Sequence, residues 1–240
     1  MNILLLYNGS QTFTKTVYEH VDSFQRFSKN RIWYKHVDSL SSNDIDFEIF
    51  DCIGIHYTIR LAFDQLPKIL ANKLSSFNGL KFLFIQDEYD NIYKIWNWIN
   101  ELKINLFFTV MPNKSIETFY PKEKFPNTEF VSNLTGYVPE DIEMDRELLP
   151  PSKRSIIVGY RGRNIPLKYG QLGFDKVNIG RIAKNYFDSN DIKNDIAWEE
   201  NDRIYGKYWY EFIANCRSVL GTESGSNVLD YEGVIDAVNG

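Results

Sequence analysis

Short apolar runs alternate with amphipathic segments along most of the chain. Asn2 to Tyr7 predicts a strand, Asn8-Gly9-Ser10 a turn, and the next segment a helix carrying Val17, Val21 and Phe24 on one face. Further strands are predicted at Ile32 to Val37, Ile49 to Ile55, Leu80 to Ile85 and Ile104 to Thr109. The later ones are continuous apolar runs, the pattern of strands buried on both faces of a parallel sheet. Between them, one helix has Pro67 near its first turn and apolar positions at Leu66, Ile69, Leu70 and Leu74. Another places Ile92, Ile95, Trp96, Ile99 and Leu102 at helical spacing. Strands that alternate with helices in this way imply an α/β fold, a doubly wound, Rossmann-like parallel sheet.

Between Pro139 and Arg154 the pattern gives way to acidic and Pro-rich sequence, which places a domain boundary between residues 150 and 151. A second βα series then begins. Ser155 to Gly159 reads as a strand, and Gln171 to Phe187 as a helix with Ile179, Ile182, Ala183 and Tyr186 inward. Tyr205 to Cys216 reads as a helix with Tyr205, Trp209, Phe212, Ile213 and Cys216 inward, and Arg217 to Gly221 as the next strand. The expectation is a first Rossmann-like domain over 1–150 and a partial second one over 151–240.

Charge sharpens this division. The 240 residues carry a formal net charge of -5, which argues against a general nucleic-acid binder, since phosphate-backbone affinity needs clustered cations. Residues 1–150 hold 15 basic and 20 acidic groups, whereas 151–240 hold 12 of each. Cys52 and Cys216 lie far apart in apolar surroundings and read as buried small hydrophobes rather than a disulfide or metal site. The N-terminus lacks the basic and long apolar regions of a signal peptide, and no run approaches a membrane span, so cytoplasmic residence is the expectation.

In open α/β sheets ligands bind at the carboxyl ends of the strands, and four places there carry chemistry. Ser152 to Phe174 contains Lys153, Arg154, Arg161, Arg163 and Lys168 without an acidic residue. Its centre, Gly159-Tyr160-Arg161-Gly162-Arg163, follows a strand and precedes a helix. Glycines admit close backbone approach, arginines grip phosphate oxygens in pairs, and a helix N-terminus favours an anion, so a diphosphate is the natural ligand; the alternative is a solvated basic loop. The second place is the turn Gly221-Thr222-Glu223-Ser224-Gly225-Ser226, where Glu223 and its neighbours offer contacts to ribose or sugar hydroxyls. The third and fourth are His56-Tyr57 and Gln86-Asp87-Glu88-Tyr89, each ending a strand. His56, Asp87 or Glu88 is suited to remove a proton from an acceptor hydroxyl. The alternatives are a packed core histidine and carboxylates interacting with a helix dipole.

No Gly-x-Gly-x-x-Gly follows the first strand, and neither a Gly-Lys-Ser/Thr phosphate loop nor Cys-x-x-Cys nor His-Glu-x-x-His occurs. Dinucleotide oxidoreductases, phosphate-loop NTPases and zinc enzymes are thereby demoted. Asn8-Gly9-Ser10 after the first strand also lacks the acidic residues that a receiver-type signalling domain needs.

The series Ile55-His56-Tyr57, Phe84-Ile85-Gln86-Asp87-Glu88-Tyr89, Leu134-Thr135-Gly136-Tyr137-Val138-Pro139, Val158-Gly159-Tyr160-Arg161-Gly162-Arg163, Glu200-Asn201-Asp202-Arg203-Ile204-Tyr205-Gly206 and Leu220-Gly221-Thr222-Glu223-Ser224-Gly225 resembles bacterial glycosyltransferases of the spore-maturation, CgeB-like type. That resemblance implies a GT-B architecture, with the acceptor on the first Rossmann-like domain and a nucleotide-sugar donor on the second. It implies that Arg161, Gly162 and Arg163 stabilise the departing diphosphate, that Glu223 and Ser224 line the donor side, and that Asp87, Glu88 or His56 faces the acceptor. It further implies no metal, no cofactor beyond the donor substrate, and a place in surface polysaccharide or glycoconjugate synthesis, at the periphery of membrane assembly machinery. A complete second domain of that type extends past Gly240, so a missing C-terminal segment or subunit is implied as well. A non-catalytic α/β module that binds a nucleotide sugar or a partner protein is the alternative.

Overall fold

The computed structural model describes residues 1–10, 14–38, 45–134, 136–138, 140, 147–223 and 225–235. The chain forms two compact units, the first comprising Met1–Pro139 with Asp230–Val234, the second Glu140–Leu229 with Ile235–Gly240. The units thus part between 139 and 140, earlier than the Pro-rich segment suggested, and residues 230–234 return to the first unit. Among the described residues, no helix is long and apolar enough to cross a membrane.

The first unit runs β1 (Asn2–Tyr7), α1 (Lys15–Phe27), β2 (Arg31–His36), β3 (Cys52–Ile55), α2 (Lys68–Ser76), β4 (Leu80–Phe84), α3 (Ile92–Leu102), β5 (Leu106–Thr109), α4 (Asn113–Phe119) and β6 (Glu129–Ser132). All six strands are parallel, in the order β2-β1-β3-β4-β5-β6. The apolar runs explain the centre of this sheet, because Leu4 to Leu6 and all of β3 are buried. One face stacks Phe84 on Phe108 across β4 and β5, 4.2 Å between ring centroids, with Phe24 of α1 edge-on to Phe84. The opposite face is a large core in which Leu70 and Leu74 of α2 and Ile95, Ile99 and Leu102 of α3 are fully buried.

The second unit has β7 (Ile156–Arg161), α5 (Gly170–Ser189), β8 (Asn194–Ala197), α6 (Lys207–Asn215) and β9 (Cys216–Val219), with parallel strand order β8-β7-β9. Its two helices present the faces that apolar spacing suggested only in part. In α5, Ile182 and Tyr186 are 61% and 60% exposed, whereas Gly173 and Gly180 are buried and Ile179, Ala183 and Phe187 face the core. The glycines are the reason, since a Cβ on Gly180 would sit 3.1 Å from both Trp198 and Tyr160. The helix seats on the sheet through these glycines together with Ile179, Ala183 and Phe187, and turns Ile182 and Tyr186 outward. In α6, Phe212, Ala214 and the following Cys216 are buried, but Tyr205 and Ile213 are largely exposed. Gly206, at φ 57 and ψ -136, starts the helix at Lys207 and leaves Tyr205 outside it.

Candidate functional site

In the first sheet the strand order reverses direction between β1 and β3, and ligands of such sheets gather at the carboxyl edge beside that reversal. The segments there are Asn8 after β1 and His56-Tyr57-Thr58 after β3. They are tied together, since the His56 backbone N–H donates to the Leu6 carbonyl at 2.9 Å and that of Asn8 to Thr58 Oγ1 at 2.9 Å. Gln86, after β4, opens on the same edge. A cleft of about 410 Å³ lies here, bounded by His20, Tyr57, Phe84, Gln86, Asn133 and Tyr137. Its size falls within the range of small-molecule sites.

His56 does not reach this cleft. It is 0% exposed, its Nε2 is 2.8 Å from His20 Nδ1, and its Nδ1 faces Thr58. Burial, with His20 alongside, lowers its pKa to about 3. The ring that reaches the cleft is His20, from the middle of α1, whose pKa burial also lowers. Sequence spacing gave no sign of it, because only the folding of α1 across the sheet edge brings it to His56.

Glu88 and Asp87 separate. Glu88 is 1% exposed and accepts from the Tyr120 hydroxyl at 2.6 Å, the Thr109 hydroxyl at 2.7 Å and the Val110 backbone N–H at 2.6 Å. Burial raises its pKa against the pull of these donors. The carboxylate fastens the ends of β4 and β5 to the segment after α4 and faces no open volume. Asp87 is exposed, in the left-handed region at φ 55, and lines a smaller recess that shares Tyr57 and Gln86 with the cleft.

The second sheet reverses between β7 and β9, and a pocket of about 290 Å³ lies at that point. Tyr160 and Arg161 at the end of β7, with Gly162 and Arg163 after it, meet Gly221 and Thr222 after β9, and Lys176 of α5 and Arg203 complete the lining. The two arginines two positions apart have different partners. Arg161 is turned inward against β8, with Nη2 2.8 Å from Asp195 Oδ1 and its guanidinium 4.3 Å above the Phe212 ring. Arg163 is largely exposed, its Nε 3.8 Å from Glu200, which also accepts from Arg203. Four cations therefore face two carboxylates, Asp195 and Glu200, and Lys176 has no carboxylate partner among the described residues.

Gly162 serves packing, since a Cβ there would lie 2.8 Å from the Lys176 carbonyl of α5. The N-terminus of α5 is capped within the unit, the Leu172 N–H donating to Asn227 Oδ1 at 3.3 Å. Glu223 is exposed and outside the pocket lining, and Ser224 lies outside the described residues. Lys176 and Arg203 are what the sequence did not single out, one within a helix and the other in a mixed-charge turn. No cluster of three or more His, Cys, Asp and Glu suited to a metal ion occurs among the described residues. No protein-family profile, curated protein or solved structure matches the chain.

Proposed function

We propose that the chain is a glycosyltransferase, or part of one, that moves a sugar from a nucleotide diphosphate to a hydroxyl acceptor in surface glycan or glycoconjugate synthesis. The observation that carries this reading is the basic pocket at the strand-order reversal of the second unit, with Arg163, Lys176 and Arg203 around the Gly162 and Gly221 turns. In such a transfer negative charge accumulates on the departing diphosphate, and fixed cations at that point lower the barrier by several kcal/mol without a metal. Arg161, neutralised by Asp195, holds the β7 turn in place and leaves the anion to its neighbours. The first unit supplies the complementary site, a cleft walled by aromatic rings and amides for the acceptor. Asp87 is the accessible carboxylate after β4 and the group we assign to proton removal, because Glu88 is enclosed by its own donors.

Incubation with uridine-, guanosine- and thymidine-diphosphate sugars tests this. Release of nucleoside diphosphate from one of them is expected, reduced at least about tenfold in Lys176→Ala, as loss of a charge-assisted contact of about 1.5–3 kcal/mol requires. Binding of a sugar nucleotide without any turnover would instead support the non-catalytic module.

A further inference from the structure

The hydrogen bonds behind the cleft of the first unit run in one direction. The Asn8 backbone N–H donates to Thr58 Oγ1 at 2.9 Å, which leaves the Thr58 hydroxyl hydrogen for His56 Nδ1 at 3.0 Å. The Thr58 backbone N–H points at the same nitrogen, at 3.3 Å. A ring nitrogen that receives two donors keeps its lone pair, so neutral His56 carries its hydrogen on Nε2. That hydrogen meets His20 Nδ1 at 2.8 Å. His20 Nδ1 is thereby an acceptor, and the hydrogen of the neutral His20 ring is on Nε2. Among the described residues nothing accepts from that Nε2–H, and His20 lines the cleft.

The cleft's described lining contains no Lys, Arg, Asp or Glu, so it is built for an uncharged ligand. Its walls are aromatic rings, with Tyr57 stacked on His20 at 5.4 Å and Tyr137 tilted against it at 6.3 Å, and the Gln86 and Asn133 amides lie beside them. Flat aromatic faces beside amides suit a saturated ring with an apolar C–H face and hydroxyls at its edge.

We propose that His20 is the ligand-contacting histidine of this cleft, donating its Nε2–H to an oxygen of a neutral, carbohydrate-type ligand whose ring face lies on Tyr57 and Tyr137. His56 is a positioning residue, because it is enclosed, with its ring against His20, Thr58 and Tyr57, and fixes which His20 nitrogen bears the hydrogen. A chain of donors that all point outward polarises its last member and strengthens the contact it offers. The titratable groups facing His20 are His56, Tyr57 and Tyr137. Protonation of His20 would set two N–H groups against each other across 2.8 Å, so this arrangement is that of the neutral pair, which burial of His20 favours at neutral pH. Every group involved belongs to the first unit, so failure here leaves the diphosphate pocket of the second unit standing, and the converse holds too.

Two-bond proton–nitrogen correlation spectra of the ¹⁵N-histidine-labelled chain at pH 7.5 read the tautomers directly. Both His20 and His56 are expected as Nε2–H; His20 with its hydrogen on Nδ1 and a bare Nε2 would overturn the proposal. Thr58→Val is expected to give His20 a mixture of tautomers, a change that loss of packing alone does not cause, and an unaltered tautomer would contradict the donor chain. Titration with methyl glucopyranoside, galactopyranoside and mannopyranoside is expected to shift the His20 Nε2 resonance with at least one of them. Binding of that glycoside should weaken about three- to tenfold in His20→Phe, which keeps the ring face, and persist in His20→Gln, which keeps a donor at similar reach. No response of His20 to any of the three would refute the ligand class.

Discussion

Glu88 and Asp87 are adjacent carboxylates at the end of β4, and one peptide unit gives them opposite duties. Asp87 adopts φ 55, which turns the chain so that its own side chain faces solvent and the next one faces the interior. Glu88 then meets three donors, from Thr109, Val110 and Tyr120. A buried donor stripped of its acceptor costs about 1–3 kcal/mol. Glu88→Ala should therefore lower unfolding free energy by about 2–4 kcal/mol in urea, partly offset by relaxation of the Tyr120 hydroxyl. An unchanged urea midpoint would mean that the carboxylate is not the fastener described. Nothing in the sequence separates these two residues, since both are acidic, follow the same apolar run and precede the same helix. The same holds for Arg161 and Arg163. Alternation along an extended chain put both on one face, but β7 ends at Arg161, and the parallel neighbour β8 offers it Asp195. Because β8 reads Asn-Asp-Ile-Ala, without an apolar run, neither the strand nor the ion pair was legible beforehand.

Helix α3 shows what periodicity does establish and where it stops. Its apolar positions delimit Ile92–Leu102, and the buried side chains are those of the stripe. What satisfies its first turn comes from far away in sequence. The Tyr93 N–H donates to the Tyr231 carbonyl at 3.1 Å, and Tyr231 lies against Tyr93 and Trp96, with ring centroids 5.4 and 6.2 Å apart. Residues 230–234 were expected in the second domain, for no local pattern marks a segment that returns to cap a distant helix. Tyr231→Ala keeps the backbone carbonyl but removes the rings' cover, and a loss of about 1–3 kcal/mol from the first unit is expected by thermal denaturation followed at the Trp96 fluorescence. Unaltered melting of that signal would show the returning segment to be dispensable. In α5 periodicity placed Ile179 and Ala183 correctly but not Ile182 and Tyr186, because glycine counts as neither apolar nor polar. Gly173 and Gly180 are inward positions as well.

Over the whole molecule, both units open with the same arrangement, a first strand flanked by the second on one side and the third on the other. The parallel, alternating βα build of both units was legible, as was the gathering of His56 and Gln86 on one carboxyl edge, whereas the strand order was not. Which side chains fill each edge was legible only in part. The basic character of the second edge survives from Arg163, while Lys176 and Arg203 join it through the tertiary fold. The cleft at the first edge has an uncharged, aromatic lining, with His20 in place of His56, and Asp87 lies in the neighbouring recess. In the transfer we propose, the basic pocket takes the diphosphate of the donor and the uncharged cleft the acceptor.

The basic pocket carries that account, and titration calorimetry tests it most directly. The chain would be titrated at low salt with uridine, guanosine, adenosine and thymidine diphosphates, each beside its uncharged nucleoside. One diphosphate is predicted to bind at least about tenfold more tightly than its nucleoside, and Arg163→Ala, Lys176→Ala and Arg203→Ala each to weaken it by about tenfold or more, in keeping with charge-assisted contacts of about 1.5–3 kcal/mol. Failure of every diphosphate to bind, or an affinity that none of the three substitutions alters, would contradict it.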